Sequence, residues 1–246
     1  MPNDSGHRIV LIIGSAPDAV RCRAWSKSRF HRIVAINNAW QVRSDWDDHI
    51  APDDFPKARM PGRTTARQRL IRSADYVPAN NTFGGVFYAG GTMAFTTGYW
   101  ALSALRPTIL AFIGCDMIYS GSGKTHFYGR GAPDPLRDDP SLRSLEAKSA
   151  RLLLHAARLG CACVRLSSGD SRLLFPSVDI DELESRTAPV VTGTNPLFDE
   201  ARALEGQLGY RYETGRYWEG TDTVSAEKID ALDDLWLRAA RMPIML

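Results

Sequence analysis

Long apolar runs are missing from this chain of 246 residues. A membrane-spanning helix needs about 20 consecutive apolar residues, and no stretch approaches that length. The opening MPNDSGHRIVLIIG carries an acid early and only a short apolar run after Arg8, the pattern of neither a signal peptide nor an anchor. A cytoplasmic protein without a transmembrane segment is the expectation. Cysteine is scarce too. Cys22, Cys115, Cys161 and Cys163 have no zinc-site spacing, and a chain of this length needs no disulfide framework. Cys161 and Cys163 flank Ala162 in an apolar run, so they read as small hydrophobes on one side of a strand. Charge of one sign is also lacking. A net charge of +2 gives no reason to expect a nucleic-acid partner. Arginine far outnumbers lysine; it suits bidentate contacts to phosphate or carboxylate, and it also follows genome composition.

Two phosphate-binding signatures are absent. Gly14-Ser15-Ala16-Pro17 has Ala16 where G-x-G-x-x-G needs its second glycine. Gly121-Ser122-Gly123-Lys124-Thr125 ends like a Walker A loop, but Ile118 stands where the first glycine is required and no strand leads directly into it.

What is present is a succession of apolar runs that end in polar turns. Ile9–Ile13 is an unbroken aliphatic run, the mark of a strand covered on both faces. Ile33–Ile36, Trp46–Ala51, Thr108–Ile113 and Cys161–Leu166 read as further strands. Helical spacing follows Gly14–Asp18 and recurs at Met93–Leu105 and Leu142–Leu159, the last stopped by Gly160. Lys57–Arg72 is basic and reads as a loop or a surface helix. Strands alternating with helices predict a Rossmann-type α/β domain with a single, mostly parallel sheet over residues 1–188. Residues 119–139, rich in Gly, Pro, Ser and Asp, form a long lid loop, and residues 189–246 form a C-terminal helical appendage with helices near Leu197–Leu208 and Ala226–Met242.

Ligands of open α/β sheets sit at the carboxyl ends of the strands. Gly14-Ser15-Ala16-Pro17-Asp18, Asn37-Asn38, Gly114-Cys115-Asp116 and Ser167-Ser168 are therefore expected to converge there. The first of these opens a helix whose amides suit an anion, although a plain strand-to-helix turn has the same pattern. Asp45, Asp47, Asp48, Asp53 and Asp54 could hold Mg²⁺ or be solvated loop acids. His126, among aromatics in the lid, is a candidate acid/base group or a packing histidine. His49 is a reserve candidate, and His155, inside an amphipathic helix, reads as structural.

The order of these pieces resembles bacterial lipooligosaccharide sialyltransferases. Gly14-Ser15-Ala16-Pro17-Asp18 is similar to their Gly-Asn-Gly-Pro-Ser turn, and Ile36-Asn37-Asn38-Ala39-Trp40 to their Asn-bearing second strand end. Gly114-Cys115-Asp116-Met117 is similar to their Gly-Ile-Asp-Phe strand end, and Ser167–Leu173 to a late Cys-Pro-Asn-Ser-Leu turn. The similarity spans roughly residues 8–178 and extends to a broader sialyltransferase-like group that includes pterin pyrophosphokinases. It implies a glycosyltransferase that moves a sugar from a nucleotide-sugar donor, a CMP-linked one in that family, to a glycan acceptor without metal or further cofactor. It implies nucleotide binding by Gly14, Ser15, Ala16, Pro17 and Asn37, contact of Asp116 with ribose or sugar hydroxyls, and stabilisation of the departing phosphate by Tyr119 and Tyr128. The chain departs from the family at Ala51-Pro52, where the family has Asn-Pro. The family's base histidine falls near Arg130 or Ser144, which leaves His126 as the histidine to take that role. The other readings are an ATP- and Mg²⁺-dependent pyrophosphokinase-like enzyme and a non-catalytic nucleotide or glycan binder.

Overall fold

The structure is a computed structural model, described here for residues 6–118, 124–129, 139–167, 169–187 and 195–242. Tyr119 and Ser168, two of the expected site residues, lie outside the described residues, as do most of the lid and the junction at 188 between the expected domain and its appendage.

Six strands form one all-parallel sheet: β1 (Ile9–Ile13), β2 (Arg32–Ile36), β3 (Asp48–Ile50), β4 (Arg69–Ile71), β5 (Ile109–Ile113) and β6 (Ala162–Arg165). They lie in the order β4-β3-β2-β1-β5-β6. The helices are α1 (Ser73–Asn81), α2 (Val86–Ala89), α3 (Met93–Ala104), α4 (Leu145–Arg158), α5 (Pro196–Leu208) and α6 (Ala226–Arg241). The fold is thus the expected Rossmann-like α/β architecture. β1 is fully buried because both of its faces are covered. Ile9, Leu11 and Ile13 face a core closed by 3₁₀ turns, with Ala19, Cys22, Ala39 and Val42. Val10 and Ile12 face the larger core beneath the α-helices. Burying an aliphatic side chain of this size stabilises by roughly 1.5–3 kcal/mol, so these five residues hold the centre of the sheet.

The segment after Gly14 differs from expectation. Pro17–Ala24 is a 3₁₀ helix rather than an α-helix. Its inward residues, Ala19, Cys22 and the partly buried Trp25, recur every third position, which fits three residues per turn. A second difference is the basic segment, read as a loop or surface helix. It contributes an edge strand, β4, whose Asp48↔Arg69, His49↔Leu70 and Ile50↔Ile71 register completes the sheet.

The C-terminal helices cover the α4 face. Phe198 and Ala201 of α5 and Ile229, Leu232, Trp236 and Ala239 of α6 belong to the same core cluster as α3 and α4. Asn195 and Ser225 cap these helices by accepting from Phe198 N and Lys228 N. Gly209, at φ 66°, ends α5 in the left-handed conformation that glycine adopts without strain.

Candidate functional site

The chain runs from β1 outward to β4, then returns to place β5 on the other side of β1. The loops after β1 and β5 therefore leave in opposite directions. This is the topological switch point, where open α/β sheets leave a crevice.

The two loops touch directly. Gly14 N donates to Ile113 O (2.8 Å) and Ala16 N to Gly114 O (3.0 Å). A side chain at Gly14 would overlap the Gly114 carbonyl and Cys115 Sγ, so the glycine is required by the approach of the two strand ends. The Gly14 and Ala16 amides are thus engaged by the end of β5 and the residue that follows it.

The adjoining strand end adds Asn37 and Asn38. Asn37 sits at φ 49°, a left-handed conformation that Asn tolerates better than most residues. Beneath it lies His49 of β3, fully buried, with Nε2 2.8 Å from Asn37 O. A carbonyl oxygen only accepts, so Nε2 carries the hydrogen. Burial lowers the His49 pKa to about 4, and the ring is neutral at physiological pH. A buried ring in this position cannot reach a substrate hydroxyl, which removes His49 as a reserve base. It acts instead as a support under Asn37.

The described part of the lid, Lys124–Gly129, closes over this edge. Phe127 N donates to Ser15 O (3.0 Å), and Asn38 Nδ2 donates to Tyr128 Oη (3.3 Å). The His126 ring stacks on Tyr128 at 4.9 Å between centroids, and its Nδ1 lies 2.9 Å from Thr125 Oγ1. Partial burial lowers the His126 pKa, while the Asp116 charge acts in the opposite sense. Asp116 is held by Ile118 N, which donates to Oδ1 at 3.1 Å, and its backbone oxygen accepts from Arg172 N and Ser171 Oγ. Burial raises the Asp116 pKa. Asp18 is raised as well, first by burial and then by the Asp116 charge.

The edge thus brings together the Gly14–Asp18 turn, Asn37, Asn38, Asp116, His126 and Tyr128. Ser167 is buried nearby, but its carbonyl is engaged by Arg165 Nη1 and Ser177 Oγ. Its neighbour Leu166 is the residue tied toward the first turn, through Arg21 Nη1 to Leu166 O (3.1 Å). Three buried acceptors at the site have no partner among the described residues: Asp18 Oδ1, Asn37 Oδ1 and, with the hydrogen on Nε2, His49 Nδ1. A buried acceptor without a donor costs about 1–3 kcal/mol, and both strand-end loops carry one. Sequence reading missed His49 as a support and the Arg172 and Ser171 contacts to Asp116. The signal for His49 was an Asp48-His49 pair inside a strand of three residues.

The other candidate acids do not gather. Asp47 pairs with Lys27 and accepts from Ile33 N, Asp48 is fully buried between Arg32 and Arg69, and Asp53 accepts from Ser73. Among the described residues no group of three or more His, Cys, Asp or Glu could hold a metal ion. All four cysteines are buried free thiols, and burial pushes the Cys22 thiol up to about 11 and Cys161 to about 12, far from nucleophilic readiness. His155 is packed among Phe83, Tyr99, Phe198 and Trp236, as its place in a helix predicted. Compared with known proteins, the chain matches no family model, and no curated protein and no solved structure is similar to it.

Proposed function

We propose that this edge binds a nucleotide-sugar and transfers its sugar to a hydroxyl of a glycan acceptor. The observation that carries this reading is the pair of buried, partnerless acceptors, Asp18 Oδ1 and Asn37 Oδ1, on two strand-end loops beside His126. Acceptors of this kind want donors, and ribose hydroxyls or an exocyclic base amine supply them. The sialyltransferase-like resemblance names CMP as the first nucleotide to try. In this reading Asp116 meets ribose or sugar hydroxyls. The Tyr128 hydroxyl donates to the phosphate as negative charge develops on it, an interaction that strengthens toward the transition state. His126 takes the proton of the acceptor hydroxyl at Nε2. That role requires Nδ1–H to donate to Thr125 Oγ1, leaving the Nε2 lone pair free. A lowered pKa keeps the ring in its basic, neutral form at physiological pH.

The pyrophosphokinase-like reading is less well supported, because two of the carboxylates it would use for Mg²⁺, Asp47 and Asp48, are engaged in ion pairs with Lys27, Arg32 and Arg69. A thermal-shift screen of CMP, CDP, UDP, GDP and ATP, with and without Mg²⁺, separates the readings. A ligand present at about 100 times its Kd stabilises by about 2.7 kcal/mol. The glycosyltransferase reading expects a metal-independent shift with one nucleoside monophosphate or diphosphate, and slow hydrolysis of the matching nucleotide-sugar. A shift with ATP only in the presence of Mg²⁺ would overturn it. Nucleotide binding without turnover of any donor would leave a binding module.

A further inference from the structure

Residues 55–72 contain Lys57, Arg59, Arg63, Arg67, Arg69 and Arg72 and no acid at all. The whole chain carries only +2, so the remainder of the molecule is net acidic and its positive charge is concentrated in this segment. Arg69 is committed to Asp48, and Arg72 lies against Met60 Sδ. Lys57, Arg59, Arg63 and Arg67 are all exposed, and among the described residues no carboxylate or hydrogen-bond acceptor meets their side chains. Guarding of the exposed edge strand explains a charge at Arg69. It does not explain four unpaired cations ahead of the strand.

The segment is not a loose tail. Trp40 Nε1 donates to Arg59 O (2.9 Å), and the Gln68 side chain donates to Ser44 O and Trp46 O (2.9 and 3.1 Å). These bonds pin the strap to the body and hold its cations on the surface. It leaves the sheet at the carboxyl end of β3 and, because β4 runs parallel to β3, crosses to the amino edge, where Gln68 and Arg69 meet Ser44, Trp46 and Asp47. Leu70, 38% exposed, and the half-buried Phe55 and Met60 add apolar contact at its two ends. No aromatic ring stands between the cations, which is what stacking on single-stranded nucleic acid would need.

We propose that this strap is a docking surface for an anionic phospholipid bilayer, set so that the β4 side of the sheet faces the membrane. The inference goes beyond the sugar-transfer reading and does not rest on it. Each exposed cation near an anionic leaflet is worth roughly a fivefold gain in partitioning, and a segregated charge orients the molecule as well as attracting it.

Sedimentation of the full chain with vesicles tests this. The expected result is binding to phosphatidylcholine vesicles containing about 30% phosphatidylglycerol, little binding to phosphatidylcholine alone, and release between about 0.05 and 0.5 M salt. The combined variant Lys57→Gln, Arg59→Gln, Arg63→Gln, Arg67→Gln should lose roughly a hundredfold or more of that binding. Its Tm should stay the same, since these side chains make no hydrogen bond or ion pair among the described residues. Neutralising Arg211, Arg216 and Arg238 instead, cations already paired with Glu213, Glu219 and Asp234, should leave most of the binding intact. Equal binding to neutral vesicles, or equal losses in both variants, would overturn the proposal. Absence of vesicle binding together with salt-sensitive capture of single-stranded RNA would overturn it too, and would assign the strap to nucleic acid.

Discussion

Arg151 and Asp18 are both charged side chains drawn into the interior, and their surroundings differ. Arg151, fully buried on α4, donates to Glu205 Oε1 and Oε2 (2.7 and 2.9 Å), to Tyr99 Oη (2.7 Å) and to Phe83 O, and lies over the Tyr99 and Trp236 rings. Glu205 is completed by Trp236 Nε1 (3.0 Å) and Arg202. Asp18, at the carboxyl edge, has one oxygen buried with no donor, and a like-charged neighbour in Asp116. Desolvated charge is tolerated in the first place because every group is paired, and in the second it is left open. The comparison separates a structural ion-pair network from a candidate ligand site. A buried charge marks a candidate site when its hydrogen bonding is incomplete and the vacancy faces a crevice.

The largest effect expected from breaking the open side of this comparison is catalytic. His126→Ala should lower turnover by about 10²–10⁴, the usual share of general base catalysis, with little change in donor affinity or Tm. Tyr128→Phe should slow turnover less, since it removes one hydrogen bond to the departing phosphate. Steady-state kinetics with a nucleotide-sugar donor read both. Undiminished turnover in His126→Ala would remove this histidine from the mechanism.

On the closed side the effect should fall on stability alone. Glu205→Ala leaves the Arg151 guanidinium buried without its counter-charge and should cost about 3–5 kcal/mol in denaturant unfolding. Replacing both partners, as in Arg151→Met with Glu205→Leu, should cost far less, because no orphan charge remains. Equal losses for the single and double variants would mean that packing, not pairing, is what the network provides.

His49 lies between the two cases, as a fully buried ring whose Nε2 meets the backbone carbonyl of a site residue while its Nδ1 has no partner among the described residues. His49→Leu should leave the Asn37 carbonyl unpaired and weaken nucleotide binding about tenfold, or 1.4 kcal/mol. His49→Gln places an amide N–H where Nε2–H stood and should recover most of the loss. A merely structural histidine would lower Tm in both variants without this difference in affinity.

How much of this was legible in the sequence follows from the same physics. β1 and β5 announce themselves because a strand buried on both faces must be apolar throughout, and the polar turns that end them sit at the site for that reason. β4 does not, because Arg69-Leu70-Ile71 is an exposed edge with only Ile71 inside. α1 also escapes, since Pro78 interrupts it and Asn80 and Asn81 are buried polar residues with no helical stripe. The role of His49 depends on β2 lying beside β3, a pairing that no local pattern around His49 contains. The convergence of Asp18 with Asp116 follows from β5 returning next to β1, which strand alternation predicts only in outline.

The smallest effect distinguishes the two regions through pH. A carboxyl whose pKa is higher in the folded chain than in the unfolded one binds protons more readily when folded. Its contribution to stability is then greatest in acid, and declines as pH rises from the ordinary carboxylate value, about 3.9, through the raised folded one. Burial raises both Asp18 and Asp116, so at neutral pH these carboxylates hold their charge at a cost. Asp18→Asn removes one charge while keeping the shape. Its Tm should therefore exceed that of the unsubstituted protein at pH 7, and the two should converge as pH falls toward 4. Thermal unfolding across that range reads the difference, and a variant whose Tm does not exceed that of the unsubstituted protein at pH 7 would show that the Asp18 charge carries no cost there. A nucleotide that donates to Asp18 Oδ1 should reverse the ranking, by raising Tm more in the unsubstituted protein than in Asp18→Asn, because a carboxylate accepts a stronger, charge-assisted hydrogen bond than an amide oxygen.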